Sequence, residues 1–320
     1  MPLFIREQDV KQLLTMDDAL DAVEEAFRLQ GLGRTDNRPR QRPRLERTML
    51  QVMSAALPGI GFGLKAYTIA SGGVRFVVLL WDEETGDLQA VIEAAYMGQM
   101  RTGAASGVAT RHLARSDAAT VGIFGTGTQA PTQLEAVCAV RPIEHVWAYS
   151  PTPEHRRRFA AEMSERLDVT VDPVDTPRAA VSDADVVITI TKAAEPLFDG
   201  DWLRPGVHVN AAGSNRPSAR EIDLRTVERA DLVTIDDRAQ GRVEAGDLIA
   251  AVEQGALSWD RVVELGQIVA GTRKGRRAPD DVTLFESLGV AIEDVAVARR
   301  VVDKALRLDV GEDLPETILG

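Results

Sequence analysis

Cysteine, aromatic side chains, positive charge and long apolar runs are all scarce in this chain. A single cysteine, Cys138, excludes an internal disulfide framework and a cysteine-built metal site. It fits a reducing, cytoplasmic setting. Aromatics make up only 5% of the 320 residues, and the apolar content is mostly Ala, Val, Leu and Ile. That mix suits helices packed on a parallel sheet better than an all-β sandwich. Lys and Arg number 37 against 49 Asp and Glu, a net charge of −12, so no global positive field attracts nucleic acid. Local residues can still serve an anionic small molecule. The longest apolar run, residues 74–81, falls far short of a bilayer span, and no leader pattern opens the chain, so neither a membrane nor a secretory role is expected. The four histidines, His112, His145, His155 and His208, have no metal-binding spacing, and no metal is expected. No GxSxG nucleophile elbow occurs.

What is present falls into two grammars. In the first half, Thr15 with Asp18 three residues on forms a helix-start signal, and Met16, Ala19, Leu20, Val23 and Phe27 repeat at helical spacing. Gly31 and Gly33 end that helix. The proline-broken stretch NRPRQRPRLER is read as a loop or an edge strand. MLQVMSAAL, GFGLKAYTIA and VRFVVLLWD read as antiparallel strands, with DEETGD as a hairpin turn. RTGAASGVATRHLA reads as a small-residue helix, with Arg101 at or near its start. In the second half, apolar β-type runs (ATVGIF, HVWAYS, DVTV, ADVVITIT, GVHVNAAG, ADLVTID) alternate with helical patterns, implying βαβ units. The fold class expected is α/β: a Rossmann-type doubly wound parallel sheet over residues 116–289, plus a smaller α+β domain. The latter comprises residues 1–115 completed by the C-terminal helix, 290–320. The boundary is placed near Ser116.

The sharpest motif is VGIFGTGTQA, residues 121–130. Strand residues run into Gly125-Thr126-Gly127, and Ala130 takes the third small position of a GxGxxG/A dinucleotide fingerprint. Gly125 gives the tight turn, Gly127 the close backbone approach to a pyrophosphate, and Ala130 the close helix–strand packing; Thr128 and Gln129 open the helix between them. The pyrophosphate then lies on the helix N-terminus. At the end of the next strand no acid is present to bind a ribose 2′-hydroxyl. Ser150, Thr152 and Arg156 stand there instead, which favours NADP over NAD. A solvated helix face is the plainer reading of the arginines. Thr189 and Thr191 are candidates for the nicotinamide edge, with a purely structural strand as the alternative.

Taken together, GLKAYT, RTGAASGVATRHLA, VGIFGTGTQA, ADVVITIT, residues 205–223 (PGVHVNAAGSNRPSAREID) and VTLFESLGVAIEDVAVA resemble the ornithine cyclodeaminase/μ-crystallin family. The resemblance implies a homodimer, with a Rossmann domain and a dimerisation/substrate domain in each subunit. It also implies chemistry on small α-amino or α-imino acids through a nicotinamide hydride. Three cations fall at family positions for the substrate carboxylate: Arg40, Lys65 and Arg101. Lys65 lies in an otherwise apolar, glycine-rich strand, where an unpaired ammonium is costly and an anion partner is expected. Arg101 at a helix start would also be relieved by an anion. Arg38, Arg42 and Arg44 compete with Arg40 for its assignment. Partial desolvation beside arginines should lower the Lys65 pKa and suit it to proton transfer at an imine nitrogen.

One departure redirects the expected activity. The family's cyclodeaminases carry an aspartate where this chain has Asn215, and an amide orients a nitrogen or water but is no general base. Asn215 is read either in that orienting role or as a turn residue. The reading is therefore an NAD(P)H-dependent oxidoreductase on the C–N bond of a small α-imino or α-amino acid. An ornithine cyclodeaminase and a non-catalytic dinucleotide-binding protein are its rivals. His208, Cys138 and the basic GTRKGRR segment are expected to be, respectively, a satisfied structural histidine, a core thiol and a solvated loop.

Overall fold

The computed structural model describes residues 1–315; the last residues of the expected C-terminal element, 316–320, lie outside them. The chain divides into two compact units, Met1–Arg101 with Val290–Gly320, and Thr102–Gly289. The division falls inside the helix Ala95–Leu113 rather than at Ser116, where the pattern changes from helix to strand.

Among the described residues, unit 1 is built on a seven-stranded sheet. Its spatial order is Glu312–Asp313, Leu3–Ile5, Leu88–Glu93, Gly73–Trp81, Gly61–Ala70, Met49–Leu57 and Asp36–Gln41. The strands from Asp36 to Glu93 pair antiparallel in sequence order. The NRPRQRPRLER stretch thus supplies an edge strand, where proline removes no ladder bond the fold needs. Alternation decides which face is inside. In Met49–Leu57 the odd-numbered Gln51, Met53, Ala55 and Leu57 are buried. In Gly61–Ala70, Gly61, Gly63 and Lys65 are buried while Phe62 is exposed.

The helix Ala291–Leu308 packs on the inward face beside the helix Met16–Gly31. The latter starts at Thr15, whose hydroxyl accepts the Asp18 amide at 3.3 Å while the Asp18 carboxylate accepts the Thr15 amide at 3.0 Å. Gly63 is where the C-terminal helix comes closest to the sheet. A Cβ there would lie 2.8 Å from the Leu79 carbonyl oxygen and 2.9 Å from Val295 Cγ2.

Unit 2 holds, among the described residues, an eight-stranded parallel sheet. Its order is Val262–Glu264, Leu232–Ile235, Thr283–Glu286, His208–Ala211, Val186–Thr189, Thr120–Phe124, His145–Tyr149 and Thr170–Pro173. The first strand, Thr120–Phe124, sits inside, and the chain winds outward in one direction and then the other. The strand order therefore reverses between Thr120–Phe124 and Val186–Thr189, the point where doubly wound sheets hold their ligands. Two strands escape the sequence reading. Val262–Glu264 is only three residues long, and Thr283–Glu286 ends on a buried glutamate that breaks its apolar pattern.

Close packing at Gly63 makes a test. Gly63→Ala should cost about 1–3 kcal/mol by overpacking against Val295. A thermal melt should show unit 1 losing stability, and an unchanged melt would contradict the packing described.

Candidate functional site

Unit 1 brings the three sequence-predicted cations together beneath its sheet. Arg40, Lys65 and Arg101 are only 8%, 3% and 7% exposed. Of the neighbouring arginines, Arg38 points outward and pairs with Asp36 at 2.7 Å, and Arg44 is exposed. Arg40 is thus the buried member of its segment. Arg101 is not at a helix start: the helix begins at Ala95, so Arg101 lies in the helix interior and the dipole does not explain it. The residues YMGQM extend the helix backwards.

Carboxylates from the C-terminal helix, which the sequence reading did not single out, compensate the cations. Lys65 Nζ donates to Asp294 Oδ1 at 2.8 Å. Arg101 donates to Glu293 Oε2 at 2.7 Å, and its Nε lies 3.1 Å from Asp294 Oδ1. Glu293 and Asp294 occupy the first turn of the helix Ala291–Leu308, where negative charge is favoured. The usable signal was an acidic pair opening an otherwise apolar helix stripe.

Burial pulls the Lys65 ammonium down to about 8; Arg101 and Arg40 add to this and Asp294 opposes it. Burial also pulls on Arg101, but Asp294 and Glu293 outweigh it and its pKa is raised. Burial lifts Glu293 to about 7 against the pull of Arg101. The rings of Phe76 and Tyr67 lie 5.6 Å and 6.0 Å from Lys65 Nζ and add cation–π attraction. Tyr67 is itself fixed by a 2.6 Å hydrogen bond to Gln51.

Unit 2 carries the glycine loop. Gly125 has φ +104°, and a Cβ there would lie 2.4 Å from the Ile190 carbonyl oxygen, so this turn requires glycine. A Cβ on Gly127 would meet nothing within 4 Å, which leaves its backbone open to approach. Ala130 is fully buried and begins the helix Ala130–Val140; Thr128 and Gln129 precede it, and Gln129 caps it without a side-chain bond. This cradle at a helix start fits a dinucleotide pyrophosphate.

The other cofactor candidates are placed differently from the sequence reading. Ser150 donates to the Thr152 carbonyl at 3.2 Å. Arg156 is buried, donates to the Ser150 carbonyl at 2.9 Å and pairs with Asp175. Its guanidinium is committed to holding this turn. Thr189 and Thr191 turn their hydroxyls to Glu221, at 2.9 Å and 2.6 Å. Glu221 is fully buried and also accepts the amides of Thr191 and Gly213 at 2.6 Å each. It ties the strand end to the loop that bears Asn215, which is half-buried. Burial raises the Glu221 pKa despite these bonds.

His208 is buried between Thr283 (2.9 Å) and Asn210 (3.1 Å), and burial drives it down to about 3, so it is neutral and structural. Cys138 is half-buried, with its thiol pushed up to about 12 by burial. The GTRKGRR loop is not wholly solvated. Arg276 donates to the carbonyls of Leu113 and Pro279 and to Thr283, because the loop spans a gap lined with backbone oxygens. Among the described residues no group of three or more His, Cys, Asp or Glu is arranged to hold a metal.

Comparison with known proteins places the whole chain. Residues 2–308 match the model of the ornithine cyclodeaminase/mu-crystallin family. The chain belongs to that family. It is 35% identical to the alanine dehydrogenase of Archaeoglobus fulgidus over 98% of both chains. The structure of Thermococcus litoralis Delta(1)-pyrroline-2-carboxylate reductase, in complex with NADH and L-proline, superposes with a TM-score of 0.93 at 35% identity. That match covers 98% of this chain and 100% of the other. An archaeal alanine dehydrogenase dimer with bound NAD gives a TM-score of 0.92 at 34% identity, covering 98% and 99%.

The buried ion cluster makes a second test. Glu293→Ala removes the carboxylate hydrogen-bonded to Arg101, leaving it only the ion pair to Asp294, and should cost about 3 kcal/mol. Arg101→Met combined with Glu293→Leu should recover most of that loss in urea unfolding. A single variant as stable as the parent would contradict the pairing.

Proposed function

We propose that this protein is a nicotinamide-dependent oxidoreductase acting on the C–N bond of a small α-imino or α-amino acid. The observation that carries the reading is the cluster of Arg40, Lys65 and Arg101 against Glu293 and Asp294. It is a buried site that gathers three cations against two carboxylates, in a chain that also carries the Gly125–Gly127 loop. Arg40 and Arg101 hold the acid's carboxylate; a planar guanidinium suits bidentate contact. Lys65, pulled down to about 8, moves a proton at the substrate nitrogen near neutral pH. Gly125, Gly127, Thr128, Gln129 and Ala130 would hold the dinucleotide, which when bound in its reduced form would supply the hydride for the imine carbon. The relatives' complexes with NADH, NAD and L-proline support this reading.

Asn215 replaces the carboxylate expected of a cyclodeaminase, so reduction of an imine, such as Δ1-pyrroline-2-carboxylate, or amino-acid dehydrogenation fits better than loss of ammonia from ornithine. With Arg156 engaged by Asp175, both NADH and NADPH are candidates and should be assayed.

The protein acts as a homodimer. The outward face of the unit 1 sheet exposes Leu50 and Phe62 and contains a hollow of about 380 Å³ lined in part by Phe62, Leu64 and Trp81. A second copy is the partner this face fits, and the archaeal alanine dehydrogenase is itself a dimer. The site of action is the cytoplasm, supported by the single unpaired Cys138; no helix of the described residues is long and apolar enough to cross a membrane.

The test is oxidation of NADH or NADPH, followed at 340 nm, with Δ1-pyrroline-2-carboxylate and with pyruvate plus ammonia. Turnover with one of them is expected. Lys65→Met should lower kcat/KM by about 10²–10⁴-fold while leaving dinucleotide binding intact. Proline and ammonia released from ornithine with only catalytic NAD would contradict the proposal.

A further inference from the structure

This inference rests on the proposed function and concerns which group receives the substrate nitrogen. Four carboxylate oxygens face the cations, and they are not used equally. Glu293 Oε2 accepts from Arg101 and Asp294 Oδ1 accepts from Lys65, with Arg101 Nε 3.1 Å from the same oxygen as an ion pair. Glu293 Oε1 and Asp294 Oδ2 have no hydrogen-bond partner among the described residues, although both side chains are buried, and Asp294 is the one of the two that also holds Lys65. A buried carboxylate oxygen left without a donor is costly. A ligand N–H at this place would remove that cost. Lys65 Nζ has three N–H bonds, and among the described residues one is donated, to Asp294 Oδ1. The other two point away from the carboxylate that holds the ammonium. The cations recognise only an acid, and would accept a 2-keto or 2-hydroxy acid equally well. The unfilled acceptor on Asp294 is the feature that distinguishes nitrogen from oxygen.

We propose that Asp294 is the acceptor for the substrate's nitrogen: Oδ2 takes its N–H while Oδ1 keeps Lys65 directed at the same atom, so that the site selects C–N over C–O substrates. In the reductive direction one proton leaves Lys65 Nζ for the imine nitrogen. Lys65 becomes a neutral amine, and the new N–H, carrying the positive charge, donates to Asp294 Oδ2. The hydrogen and electron pair at carbon come from the reduced nicotinamide dinucleotide, which is left oxidised. The groups facing Lys65 are Asp294 and Glu293 from the C-terminal helix, Arg101 from the helix Ala95–Leu113, Arg40 from the edge strand, and Tyr67 on its own strand. Of these, Asp294 is the one that holds the Lys65 proton on directly, and its loss should let that proton go more readily.

The test is calorimetric binding at saturating NADH of two matched pairs: L-proline against cyclopentanecarboxylate, and L-alanine against propionate. In each pair one member lacks the nitrogen. The parent protein should bind the nitrogen-bearing member of at least one pair about tenfold or more tighter, the range of a hydrogen bond to a charged group. Asp294→Asn should bring that ratio close to one and move the basic limb of the kcat profile to lower pH. Arg101→Met should weaken both members alike.

Equal binding of both members by the parent, with Arg101→Met still weakening both, overturns the role of Asp294 and leaves the proposed function standing. An Asp294→Asn variant that keeps the parent's ratio, or whose basic limb does not move, overturns it as well. Failure of the parent to bind either member of either pair overturns the proposed function and this inference with it. The comparison on the parent decides the point even if Asp294→Asn does not fold.

Discussion

Placing a lysine and two arginines under a β-sheet, out of water, is unfavourable unless carboxylates meet them there. Unit 1 is arranged around that constraint. The strand Gly61–Ala70 provides Lys65, the edge strand provides Arg40, and the helix Ala95–Leu113 provides Arg101. None of these is stable in place without Glu293 and Asp294, which arrive almost two hundred residues later on the C-terminal helix. The small side chain at Gly63 is what allows that helix close enough to the sheet. Two carboxylates meet three cations there, and under the proposed function the cluster receives an acid as well as holding the fold.

Unit 2 solves a different problem with similar means. A parallel sheet of short apolar strands must end in loops that carry chemistry, and those loops must be held. Glu221 does this at the end of the strand Val186–Thr189 by accepting from Thr189, Thr191 and Gly213. Asp236 does it further along, accepting the amides of Leu288 and Gly289 at 2.6 Å and 2.7 Å. Asp185 does it at the opposite end of the sheet, accepting the amides of Ala119 and Thr120. Buried acids used as backbone acceptors explain why an acidic chain is not merely acidic on its surface.

Much of this was legible in the sequence. Alternation in MLQVMSAAL and GFGLKAYTIA gives both the strands and their buried face, and the Thr15–Asp18 box gives the first long helix. The positive φ at Gly125 follows from the fingerprint that placed a glycine there. Lys65 could be singled out because charge in an apolar strand demands a partner. The identity of the partner could not be read, because Glu293 and Asp294 are remote in the chain and look like ordinary helix-start acids. Thr189, Thr191 and Arg156 show the reverse. Their residue types suited a ligand, but their hydrogen-bonding groups are satisfied by Glu221, Asp175 and a carbonyl, which only the fold brings near. The start of the helix holding Arg101 was misplaced because YMGQM has no capping residue to mark its beginning.

The central claim is that Arg40 and Arg101 hold the carboxylate of a small amino or imino acid, with Glu293 and Asp294 balancing the remaining charge. A crystal structure of the protein with NADH and L-proline tests it most directly. The account predicts the proline carboxylate oxygens about 2.7–2.9 Å from the guanidinium groups of Arg40 and Arg101, as for charge-assisted hydrogen bonds. Proline bound elsewhere, with both arginines engaged by protein carboxylates alone, would contradict it.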